Sequence, residues 1–216
     1  MFDRYALRIW SIDCEGSKMQ NKKNVIFIGL IVFAVLATFL IYKGCEKKDN
    51  VRFMEEYPEV GEDNVFTYRS LGEIIDIMEK GTGVVYLGFP ECPWCQAYVK
   101  YLNDVAKEVG IEKIYYYNIL EDRKNNTDDY QKVVSLLGEN LEYDEEGKLR
   151  IYVPNVSFHI KGKVVGNDLE TANDTKGIED PKEYWTEERV DALKKRLYDY
   201  MDEIFIELNA CSECNK

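Results

Sequence analysis

Residues 83–95 read GVVYLGFPECPWC: an apolar run that ends in two cysteines, Cys92 and Cys95. Residues 83–89 are continuously apolar, which suits a central strand buried on both faces. After Cys95 the pattern changes. Ala97, Tyr98, Tyr101, Leu102, Val105 and Val109 recur at helical spacing, and Gly110 stops them. The cysteine pair therefore falls between a buried strand and an amphipathic helix. Cys92 takes the helix N-terminus, and Pro93 fits the first turn, where a missing N–H costs nothing. Free amides and the helix dipole favour a thiolate there. Cys95, three residues on, shares the face of that turn and can attack a mixed disulfide formed at Cys92.

By spacing alone a C-x-x-C is half a zinc site, a redox pair or chance. Structural zinc wants four ligands. The other close pair, Cys211 and Cys214, lies in a tail with no expected fold around it. That tail reads as a second redox pair, half of an intermolecular metal site, a local disulfide or two incidental thiols. A third and weaker use of both pairs is joint metal ligation.

On the amino side, 65–68 reads as a short strand. Ser70 and Glu73 form a capping box for a helix with Leu71, Ile74, Ile75 and Met78 on one face. On the carboxyl side, 114–119 is another apolar strand and 127–137 looks helical. Residues 139–148 are acidic and turn-rich. Strand is expected on both sides of Pro154, with a tight turn at Gly162-Lys163 and a polar loop over 167–181. A long helix from 183 to about 208 carries Trp185, Val190, Leu193, Leu197, Met201, Ile204 and Phe205.

In these parts the sequence resembles the thioredoxin superfamily. The resemblance rests on GVVYLGF, on Cys92-Pro93-Trp94-Cys95 and its following helix, and on Val153-Pro154 before the strand-turn-strand VSFHIKGKVV. It spans roughly 65–208, with an insertion near 139–149 and a longer loop near 167–181. It implies an α/β, thioredoxin-like fold: a central mixed sheet flanked by helices. It also implies a cis peptide at Pro154 beside the two cysteines, with Cys92 as nucleophile and Cys95 as resolving thiol. Pro93, Trp94, Val153 and Pro154 are the expected substrate-binding residues, and Val153 can pair its main chain with an extended segment. No cofactor and no metal are expected; protein disulfides or dithiols are the substrates, and a redox partner must reset the pair.

Two departures stand out. Many thioredoxins carry a buried acid on the central strand, and here Tyr86 takes that place, six residues before Cys92. The nearest acid is Glu91, so proton transfer to Cys95 runs through water or through an acid elsewhere. The dipeptide between the cysteines is Pro-Trp, which tunes redox poise in a direction the sequence leaves open.

The rest of the chain adds a compartment. The 216 residues carry 28 Lys+Arg and 40 Asp+Glu, a net of −12. Residues 1–50 hold eight basic and five acidic residues, so the remainder is at −15. The acidity argues against nucleic acid as a partner. The single histidine, His159, excludes a two-His zinc site and reads as a satisfied or surface histidine on a strand after the proline. From 25 to 42 no residue is charged; 18 residues make about 27 Å of helix, close to a hydrocarbon core of about 30 Å. A single-pass anchor is expected there, after a tail over 1–24 whose Met19 opens a signal-anchor-like run. A stalk at 43–63 follows, then the domain over 64–208 and a tail over 209–216. The acidic body is placed outside the cytoplasm. Cys45 follows the span in a partial lipoprotein-like context.

The leading expectation is a membrane-anchored thiol–disulfide oxidoreductase acting on extracytoplasmic proteins. The alternative is a non-catalytic binding or assembly module accessory to a membrane transport system.

Overall fold

The computed structural model describes residues 48–170 and 177–213, the last three as backbone only. The chain enters through helix α1 (Asp49–Glu56) and a 3-10 turn at Pro58–Val60, then forms strand β1 (Phe66–Tyr68). Helix α2 (Leu71–Lys80) starts at a capping box in which Ser70 and Glu73 each accept from the other's backbone N–H. Strand β2 (Gly83–Gly88) leads into helix α3 (Pro93–Val109), which Gly110 ends in a left-handed conformation. Strand β3 (Ile114–Asn118) is followed by helix α4 (Leu120–Asn125) and helix α5 (Asp128–Leu137), the latter capped by Thr127. The short strands β4 (Glu142–Tyr143) and β5 (Leu149–Arg150) make a hairpin of their own. Strands β6 (Asn155–Ile160) and β7 (Lys163–Asp168) complete the main sheet, and helices α6 (Pro181–Tyr184) and α7 (Glu187–Glu213) close the chain.

The result is α/β, with a mixed five-stranded sheet in the order β1-β3-β2-β6-β7 and helices on both faces. β1, β3 and β2 run parallel; β6 and β7 are antiparallel additions. β2 sits in the middle and is buried along its whole length, as its unbroken apolar run requires. Alternation sorts its side chains between two cores. Val84 and Tyr86 join residues of α3 and α7, whereas Val85 and Leu87 join residues of α2 and α5.

Residues 49–60 are not a stalk. Phe53 and Tyr57 are completely buried, and the Phe53 ring stacks on Phe66 with centroids 3.8 Å apart. Asp49 accepts the N–H of Tyr68 at 3.1 Å, which ties the start of α1 to the edge strand. Of the apolar residues in this stretch only Phe53 and Tyr57, four apart, are buried, a face too short to show as a period. The domain accordingly begins before residue 64.

Other boundaries also move. The long carboxyl-terminal helix is two: α6 ends at Tyr184, and α7 runs from Glu187 through Glu213, beyond the 209 boundary of the expected tail. Strand does not flank Pro154 on both sides within one sheet, because Leu149–Arg150 pairs with β4. The anchor at 25–42, the tail at 1–24, Cys45 and the Cys214 side of the second pair lie outside the described residues, as does the side chain of Cys211. Among the described residues no helix is long and apolar enough to cross a membrane.

Candidate active site

β2 delivers the chain to the site and α3 carries it away. Between them, Phe89 accepts the Cys92 N–H at 3.1 Å in a tight turn. Cys92 is the N-cap of α3, with extended backbone, and Pro93 occupies the first turn. Cys92 is 8% exposed and Cys95 is fully buried; both are thiols. The Cys95 N–H donates to Cys92 Sγ at 3.3 Å, the bond that a serine or aspartate cap makes in other helices. Cys92 Sγ also lies 3.9 Å from the Val153 carbonyl. The Val153–Pro154 peptide is cis, and its Val153 carbonyl adjoins Cys92, which Pro93 and Trp94 follow in the first turn of α3.

The two thiols are driven apart in acidity. Cys92 falls to about 7, chiefly because the Cys95 thiol donates to it. The N–H groups of Cys95 and Trp94 and the charge of Arg123 add to this, against the opposing effect of burial. Cys95 moves well above the ordinary thiol range, first through burial and then through its bond and proximity to Cys92. One thiol is thus ready to ionise near neutral pH while its neighbour stays protonated.

Arg123 was not legible as a site residue. It sits on α4, an element the sequence pattern does not announce, and donates to the Ile151 carbonyl at 3.3 Å. Its guanidinium lies 4.9 Å from the centre of the Phe89 ring. Only the parallel β2–β3 pairing brings this segment to the end of the strand that carries Cys92.

An aromatic and proline rim surrounds the sulfur. Trp94 is half-buried and meets Tyr184 edge-on at 5.4 Å. A cleft of about 560 Å³ opens next to it, lined by Pro90, Pro93, Gln96, Tyr101, Asp180 and Trp185 among others. Gln96 donates to the carbonyls of Glu56 and Pro90, so α1 is fastened directly to the active-site turn.

The remaining candidates sort cleanly. His159 pairs with Gly83 at the opposite end of β2, is buried, and bonds Ser157 Oγ at 2.9 Å. Burial lowers its imidazole to about 4, so it is neutral and structural. Asp144, in the acidic turn, accepts the N–H groups of Glu146 and Lys148. Among the described residues no cluster of three His, Cys, Asp or Glu side chains is arranged to hold a metal. Compared with known protein families, with curated proteins and with solved structures, the chain returns no match.

Proposed function

We propose that the chain is a thiol–disulfide oxidoreductase with a thioredoxin-like domain, tethered to a membrane through 25–42 and acting on extracytoplasmic protein disulfides. The sheet order, the placement of the cysteine pair between central strand and helix, and the cis Val153–Pro154 bond support the fold assignment. The uncharged 18-residue stretch in the sequence supports the tether.

The observation that carries the activity is the unequal pair: Cys92 is stabilised as a thiolate near neutral pH, and Cys95 stands one helical turn away as a buried thiol. In the reducing direction the Cys92 thiolate attacks a substrate disulfide. One substrate sulfur leaves and takes up a proton; the other stays bonded to Cys92. Cys95 then loses its proton and attacks Cys92 Sγ. The Cys92–Cys95 bond forms, the mixed disulfide breaks, and two electrons have passed to the substrate. The Val153 backbone and the Trp94–Pro154 rim position an extended segment beside the sulfur. A partner dithiol or disulfide resets the pair.

Insulin-disulfide reduction by the full-length chain tests this reading. Cys92→Ser is expected to abolish turnover. An unchanged rate removes Cys92 from the reaction and overturns this reading.

A further inference from the structure

Cys95 shares its buried core with three phenols. Tyr86 on β2, Tyr116 on β3 and Tyr57 after α1 are all fully buried. Their ring centres lie 5.5 Å (Tyr86–Tyr116), 5.9 Å (Tyr57–Tyr116) and 6.5 Å (Tyr57–Tyr86) apart. The Tyr57 and Tyr116 hydroxyls meet at 3.3 Å. The Tyr86 hydroxyl, equally buried, has no hydrogen-bond partner. It is pinned against Gly88, where an added Cβ would collide with it. It shares one buried cluster with the Cys95 thiol and the Tyr57 and Tyr116 phenols.

An unpaired buried hydroxyl weakens a fold, and phenylalanine would fill the same space without that cost. Cys95 has the complementary deficit. It must ionise to attack the mixed disulfide, yet it lies in a site closed to water. When Cys92 is engaged with substrate, the Cys92–Cys95 bond no longer serves it.

We propose that Tyr86 donates its hydroxyl hydrogen to the Cys95 sulfur as that sulfur ionises, and so is a catalytic residue of the resolving step. The proposal rests on the exchange reading above. Tyr86 keeps its own proton throughout; the Cys95 proton ends on the departing substrate sulfur or in solvent. The phenol is held in its donor form by burial. Titratable neighbours of the pair are Cys92 at the N-cap of α3, Arg123 on α4, Tyr57 and Tyr116, with Glu56 and Arg52 of α1 acting on Tyr116.

The test uses the full-length chain with Cys14, Cys45, Cys211 and Cys214 replaced by serine, mixed with an aromatic disulfide whose released thiolate is coloured. Attack by Cys92 releases the first thiolate, and attack by Cys95 on the mixed disulfide releases the second. Tyr86→Phe is expected to keep the first phase and slow the second about tenfold, moving its pH midpoint upward. Thiolate absorbance in a Cys92→Ala background reads the Cys95 titration directly, and Tyr86→Phe should raise it. A second phase with unchanged rate and pH midpoint, in a folded Tyr86→Phe chain, overturns the Tyr86 assignment alone. If the parent chain gives no second phase, the exchange reading falls and this assignment falls with it. A purely structural phenol would alter thermal stability and leave the pH midpoint in place.

Discussion

The backbone N–H of Cys95 points at the sulfur of Cys92 across 3.3 Å, closing the first turn of α3 onto its own N-cap. A neutral thiol accepts such a bond weakly and a thiolate accepts it strongly. The same contact therefore caps the helix and favours the thiolate form of Cys92.

Alkylation of Cys92 by iodoacetamide should follow a titration centred near 7. The linkage sign follows from that depression below the ordinary thiol value of 9.0. The reduced protein gains stability as pH rises from 7 towards 9 and loses it as pH falls back through 7. Chemical denaturation of the reduced chain across that window checks the direction, and Cys92→Ala should remove the slope.

Arg123 adds positive charge beside Cys92 without touching its sulfur in the hydrogen-bond network. Arg123→Met is expected to raise the alkylation midpoint and slow reaction severalfold at neutral pH. Arg123→Lys should restore part of the effect. Equal midpoints in all three chains would remove Arg123 from the site.

Phe53 distinguishes a folded α1 from a stalk. Its ring is enclosed by Tyr57, Phe66 and Tyr116. Phe53→Ala should cost about 3–5 kcal/mol of unfolding free energy, whereas a solvated linker residue would cost under about 0.5. Equilibrium unfolding in urea measures the difference. Because Gln96 bonds the Glu56 carbonyl, the same substitution should also lower exchange activity.

His159 sets an acid-side slope. Its folded value of about 4 lies below the ordinary 6.5, so the unfolded chain binds the proton first. Stability should fall as pH drops below 6.5 and level off near 4. His159→Gln should flatten that part of the curve.

The parts of the fold that the sequence announces are those with a long period or a strong cap. The unbroken run of β2, the capping box at Ser70 and the helical stripe from Ala97 to Val109 each mark one element without help from the rest. The cysteine site was legible for the same reason, since strand, turn and helix are adjacent in sequence. What stayed hidden depends on contacts between distant segments. α1 and its C-cap bury only Phe53 and Tyr57, and their partners Phe66 and Tyr116 are known only once β1 and β3 pair. Arg123 reaches Phe89 because α4 follows the strand beside β2. The vacant hydrogen bond of Tyr86 is a property of the packed core and has no signature in the chain.

In the proposed exchange Cys92 attacks and Cys95 resolves. Full-length chain carrying Cys95→Ser, incubated with a disulfide-bonded protein and examined by mass spectrometry after proteolysis, tests it most directly. A stable mixed disulfide is expected on the peptide containing Cys92, and it disappears in the chain with Cys95 intact. Absence of that adduct, or its formation on another cysteine alone, would contradict it.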